Sequence, residues 1–108
     1  MIVRPYDDPV LKCFRAALDK MYGDRIERVV LFGSRARGDA REDSDYDVAV
    51  FLNDLTDRWP EMNRLADLGT DILEQTGEFI HAMPYRAGSY TDERSPPMYE
   101  IRADGIDL

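Results

Sequence analysis

Two short apolar runs, Val29-Val30-Leu31-Phe32 and Val48-Ala49-Val50-Phe51-Leu52, are separated by a polar stretch that opens with Gly33-Ser34 and closes with Asp45-Tyr46-Asp47. Runs of this length, rich in β-branched and aromatic residues and bounded by turn formers, are read as buried strands. The spacing therefore predicts a strand over 26–32, a break at Gly33-Ser34, a short helical turn over 34–38 with Ser34 as its N-cap, a charged loop over 39–44, and a second strand over 45–52. A chain of 108 residues has room for one modest core. This strand pair must then lie at the centre of a single domain spanning 1–108.

The flanking segments supply helices. Val10, Leu11, Phe14, Leu18 and Met21 recur at helical spacing over 9–22, with Asp7 or Asp8 available as a cap and Gly23 after the end. A second long helix is expected over 60–75, with Met62, Leu65, Ala66, Ile72 and Leu73 inward, Gly69 as an interruption and Gly77 as its stop. Residues 78–83 read as a third strand closed by Pro84. Residues 86–97 read as an irregular polar loop, and Met98, Ile101 and Gly105 suggest a short last helix. The order helix, strand, strand, helix, strand, helix predicts an α+β fold: a small mixed β-sheet with helices packed on one side.

The stretch from Leu31 to Val50 also carries the chemistry. A strand that ends in Gly-Ser and turns into a helix leaves backbone N–H groups without helical partners, and these favour an anion such as a phosphate. Gly33 lets the backbone approach that anion closely, the Ser34 hydroxyl can donate a further hydrogen bond, and Arg35 and Arg37 stand near enough to add charge-assisted bonds. Asp45 and Asp47, two apart on a strand, project from one face, while Tyr46 and Val48 point into the core. Two carboxylates on one face repel unless a cation lies between them, and hard oxygen ligands with an open side suit Mg²⁺ that also holds substrate phosphates. At average residue frequencies this four-residue pattern arises by chance roughly once in a thousand chains of this length. A phosphate cradle beside a carboxylate pair is equipment for phosphoryl or nucleotidyl transfer.

Gly33-Ser34, ten residues, then Asp45-x-Asp47 resembles the signature of the polymerase-β-like nucleotidyltransferase superfamily. The surrounding Gly-Ser-x-Ala-Arg-Gly and the closing 98–108 are similar to its minimal nucleotidyltransferase branch. The resemblance implies that fold, Asp45 and Asp47 as catalytic metal ligands for Mg²⁺ (two ions possible), ATP as substrate, and Gly33 and Ser34 on its triphosphate. It further implies the antitoxin of a toxin–antitoxin pair, transferring AMP to a tyrosine of a HEPN-type toxin. The superfamily places a third carboxylate on the strand after the second long helix. Here His81 aligns with that position, as a candidate base, and the nearest acid, Glu78, reaches it only if a bulge at Gly77-Glu78 turns the chain. Two alternatives follow: an antitoxin of little or no activity that acts by direct binding, and nucleotidyl transfer to a small molecule with a partner subunit.

Charge narrows the partners. With 14 basic and 22 acidic residues the formal net charge is −8, which argues against direct nucleic-acid binding through a broad basic face. It allows a small anionic ligand at the local cluster Arg35, Arg37 and Arg41, and it suits a basic protein partner. No apolar run reaches membrane-spanning or signal-peptide length, and the single Cys13 fits a reducing compartment, so a cytoplasmic protein is expected. Asp43 is expected in solvent, Trp59 and Tyr85 at element ends, and Cys13 as a small core residue.

Overall fold

The computed structural model describes residues 7–41 and 44–108; Asp43, expected in solvent, lies outside them. Helix α1 spans Pro9–Tyr22 and starts where the Asp8 carboxylate accepts a hydrogen bond from the Val10 N–H at 2.9 Å. The other Asp8 oxygen accepts from the Tyr46 hydroxyl at 2.7 Å, tying the start of this helix to the sheet. Strand β1 (Ile26–Phe32) leads through the four-residue helix α2 (Ser34–Arg37) and a loop to β2 (Tyr46–Leu52). Helix α3 (Arg58–Thr76) then crosses to β3 (Ile80–Arg86), and α4 (Pro96–Asp104) and β4 (Ile106–Asp107) close the chain.

The sheet order is β3-β2-β1-β4, with β2 antiparallel to β1 and parallel to β3, and β4 antiparallel to β1. It is the mixed sheet expected from sequence, with one strand more. The two long helices lie on one side as expected. Leu11, Phe14 and Leu18 of α1 and Leu65, Leu68 and Ile72 of α3 meet Val29, Leu31, Tyr46, Val48, Val50, Ile80 and Ala82 in the larger core. The short α4 goes to the other side, where Met98 and Ile101 cover Val30, Ala49 and Phe51 in a smaller core. Period-two alternation thus gives neighbouring residues of one strand to different cores.

Several local expectations need correction. Gly33, not Ser34, is the N-cap of α2, because a φ of 76° and ψ of −158° at the strand end are conformations essentially only glycine holds. Strand β2 begins at Tyr46, leaving Asp45 one residue before it. Helix α3 begins two residues early, capped by Asp57, and buries Leu68 and Gly69, whereas Ala66 and Leu73 are exposed. Gly69 does not interrupt this helix. A Cβ there would lie 2.5 Å from the Ile80 carbonyl oxygen, so glycine lets α3 sit directly on β3. Glu61 takes an inward position because Arg25 and Arg64 each approach its carboxylate to 3.4 Å. Burial pushes the neighbouring Tyr22 phenol up to about 12, with the Glu61 charge adding to it.

Strand β3 runs through Pro84 rather than stopping before it. Proline is tolerated because β3 is an edge strand, and the Pro84 carbonyl accepts a hydrogen bond from Arg58 at 3.1 Å. Both features blunt the edge against pairing with another chain. Tyr85 packs with its ring centroid 5.6 Å from that of Phe51, while Trp59 is exposed. Cys13 is partly buried against the larger core, its thiol 3.7 Å from the Gln75 side-chain oxygen. Among the described residues no helix is long and apolar enough to cross a membrane.

Candidate active site

The site forms where β1 and β2 end their pairing. Phe32 is registered against Asp47, so the Gly33 turn stands beside the Asp47 side chain. The approach is close: a Cβ on Gly33 would lie 2.7 Å from Asp47 Oδ2. The turn therefore has two reasons to be glycine, its backbone conformation and the carboxylate resting on its Cα. After the turn, the N–H groups of Ala36 and Arg37 bond back to the Gly33 carbonyl at 3.1 and 3.0 Å, and Gly38 ends the helix in the left-handed conformation.

Gly33, Ser34, Arg37 and Asp47 line one open cleft of ≈ 530 Å³, completed by Phe32 and by Glu100, Ala103 and Asp104 of α4. This volume suits a small-molecule ligand such as a nucleotide. Asp45 adds negative charge beside Asp47. The Asp47 carboxyl lies above its ordinary pKa, chiefly because burial disfavours its charge; His81 opposes this and Asp45 adds to it. Arg37 brings the cleft a positive charge, held at 2.9 Å by Asp104 and at 3.1 Å by Asp39.

The structure does not bring Arg35 or Glu78 into the cleft. Arg35 turns to the other side of β2, lying 4.4 Å over the Tyr46 ring and donating to the Ser44 carbonyl at 2.8 and 3.1 Å. Its guanidinium also pairs with Glu78 at 3.3 Å. These two residues fasten the loop before β2, and Glu78, outside the strand, does not bulge toward Asp47. Arg41 is exposed. His81 does face the site: it is registered against Asp47 on the adjacent parallel strand, its Nδ1 3.8 Å from Asp47 Oδ1.

Glu100, Ala103 and Asp104 escaped the sequence reading. Their signal was the i, i+3, i+4 spacing opposite Met98 and Ile101, which marks a second face of the last helix but not what that face borders. Among the described residues no group of three or more His, Cys, Asp or Glu side chains could hold a metal ion unaided. The donor set still fits a cation shared with a ligand. Asp45 lies next to the start of β2 and its charge acts on Asp47, whose pKa burial raises, beside a turn that leaves space where a Cβ would stand.

A helix-backed mixed sheet with a glycine turn against a strand carboxylate defines a nucleotidyl-transfer architecture. Residues 18–86 match the family model described as polymerase beta, nucleotidyltransferase, and the chain belongs to that family. Over 77 residues it is 35% identical to a Methanocaldococcus jannaschii protein named "Putative protein adenylyltransferase MJ0604", covering 71% of each chain. A second protein of that organism, with the same name but for the designation MJ0141, is 39% identical over 46 residues, covering 43% of this chain and 46% of that one. Among solved structures, a toxin–antitoxin with AMP-PNP superposes with a TM-score of 0.60 at 19% identity, covering 89% of this chain and 70% of that one. The toxin–antitoxin MntA–HpeT, in a mutant form, gives 0.57 at 18%, covering 86% and 68%. A structure described as "a putative nucleotidyltransferase from Sulfolobus solfataricus" gives 0.55 at 20%, covering 91% and 75%. At these identities the superpositions establish the fold.

Proposed function

We propose that this nucleotidyltransferase transfers AMP from ATP to a tyrosine of a HEPN-type toxin and is the antitoxin of that pair. The observation that carries the reading is the Asp47 carboxylate lying against Gly33, which joins a phosphate-ready turn to a metal-ready acid. The adenylyltransferase names of its relatives and the toxin–antitoxin assemblies of its structural neighbours support the acceptor class.

Gly33 and Ser34 hold the β- and γ-phosphates at the start of α2, where the helix dipole favours negative charge. Arg37 adds positive charge once a phosphate takes the place of Asp104. Asp45 and Asp47 would hold Mg²⁺, which would neutralise the charge of the transferring phosphate. Phe32 and Ala103 supply apolar wall to the cleft. Arg35, through Ser44 and Tyr46, positions the segment that enters β2, where Asp45 precedes the strand and Asp47 lies within it.

The test combines the purified protein, Mg-ATP and a HEPN-type toxin, followed by intact-mass measurement of the toxin. The expected result is a gain of one adenylyl group, lost when Asp45→Asn is combined with Asp47→Asn. A toxin inhibited at unchanged mass would refute transfer and favour neutralisation by contact alone.

A further inference from the structure

We infer that Asp104 is a tethered stand-in for the leaving phosphates: it holds Arg37 while the cleft is empty, yields to the β- and γ-phosphates of ATP, and returns to displace pyrophosphate. The inference deepens the proposed function and rests on it, because that reading puts those phosphates beside Arg37.

The ion pair joins the two walls of the cleft. Gly33, Ser34 and Arg37 belong to the wall that follows β1, and Glu100, Ala103 and Asp104 to the wall made by α4. Arg37 Nη1 lies 2.9 Å from Asp104 Oδ2, the geometry of a charge-assisted hydrogen bond. Both partners are placed by segments that border β1. The Arg37 N–H bonds back to the Gly33 carbonyl at 3.0 Å, which fixes its distance from the glycine turn. Asp104 is followed by Gly105, where a Cβ would lie 2.6 Å from the Ile101 carbonyl oxygen and 2.9 Å from Val30, and then by β4, whose Ile106 pairs with Leu31. The fold thus delivers this carboxylate to this guanidinium. Asp104 lines the cleft and is 22% exposed, whereas Asp39, on the Nε side of Arg37, is 61% exposed and does not line it.

A phosphate that reaches Arg37 from the cleft meets a position already taken by a carboxylate. Two anions at one position repel, so one replaces the other. Partly exposed ion pairs are weak, and a triphosphate adds contacts at Gly33 and Ser34 that Asp104 lacks, so the nucleotide wins on entry. Transfer forms the bond from the acceptor oxygen to the α-phosphorus and breaks the bond from that phosphorus to the bridging oxygen. The acceptor proton passes to solvent, and pyrophosphate is left at Arg37 without the nucleoside contacts. Asp104, tethered beside it at high effective concentration, then competes for the guanidinium and speeds release.

Asp104→Asn tests the exchange. It removes the charge and keeps the size, and a carboxylate in the last turn of α4 opposes the helix dipole, so the variant keeps the fold. Calorimetric titrations of the full chain use Mg-pyrophosphate, a non-hydrolysable ATP analogue with Mg²⁺, and AMP. Asp104→Asn should tighten binding of pyrophosphate and of the analogue about three- to fivefold, the upper range for a partly exposed ion pair, and leave AMP within about 1.5-fold. In an Arg37→Gln background the same substitution should give no gain, because no guanidinium remains to be freed. Complete loss of pyrophosphate binding in Arg37→Gln alone would place the anion on that guanidinium and support the exchange as well. Unchanged or weaker pyrophosphate binding in Asp104→Asn, an equal gain for AMP, or an equal gain without Arg37 would overturn this inference and leave nucleotide binding intact. Failure of the parent to bind the analogue would overturn the nucleotide site itself, and this inference with it.

Discussion

The two faces of the central sheet are built to different ends. On one, Tyr46, Val48, Val50 and Leu52 of β2 are covered by two long helices in a core that reaches from Leu11 to Ala82. On the other, the intervening Ala49 and Phe51 are covered by the short α4 together with Tyr85 and Tyr90, and Asp47, one step earlier in that series, borders an open cleft. A single strand thus anchors the fold with its even-numbered residues and carries chemistry with an odd-numbered one. The larger core can hold the strand while the smaller face remains open and bears a carboxylate that burial disfavours.

That contrast can be broken by substitution. The largest expected effect is on the covered face. Phe14 is completely buried, and Phe14→Ala should cost about 3–5 kcal/mol in denaturant unfolding. Met98→Ala, in the smaller core, should fall toward the lower end of the range of about 2–5 kcal/mol for such truncations, because an edge core can relax around the loss. Equal costs would remove the distinction between the faces.

Gly33→Ala comes next. Its φ of 76° and ψ of −158° and the 2.7 Å approach to Asp47 both oppose a Cβ. Backbone strain alone should lower stability by about 1–3 kcal/mol in thermal or denaturant unfolding. Displacement of Asp47 should also abolish nucleotide binding. A variant that binds normally would show that the turn and the acid are not coupled.

The smallest effect sharpens the comparison at the open face. The Asp47 carboxyl has a raised pKa in the fold, so its protonated form is favoured there and its charged form disfavoured. Its contribution to stability is greatest below the unfolded-state carboxylate pKa and is lost as pH rises through the folded-state value. Without metal, Asp47→Asn should therefore be slightly more stable than the parent at neutral pH, by under about 1 kcal/mol because the side chain is 37% exposed, and the gap should shrink as the pH falls toward 4. Thermal unfolding of both proteins across that range measures it. Saturating metal should reverse the order.

Much of this was legible in the chain because the strands are marked twice, by an apolar run and by a turn former at the end. The bounds of α1 and β1 follow from Asp8, Gly23 and Gly33 alone. What was not legible depends on tertiary position. Ile106-Asp107 is a strand only because β1 has a free edge beside it, and Pro84 stays in its strand only because β3 is an edge. In the site, the Gly33–Asp47 meeting was readable from the hairpin. The departure of Arg35 was not, since arginines at one sequence spacing are sorted by the acids and rings they meet, here Glu78 and Tyr46.

The central claim is that the glycine turn and the paired acids share one cation with a triphosphate. Isothermal titration with a non-hydrolysable ATP analogue, with and without divalent metal, tests it most directly. Binding should require the metal and be lost when Asp45→Asn is combined with Asp47→Asn. Binding of equal strength without metal, or unchanged in that double variant, would contradict it.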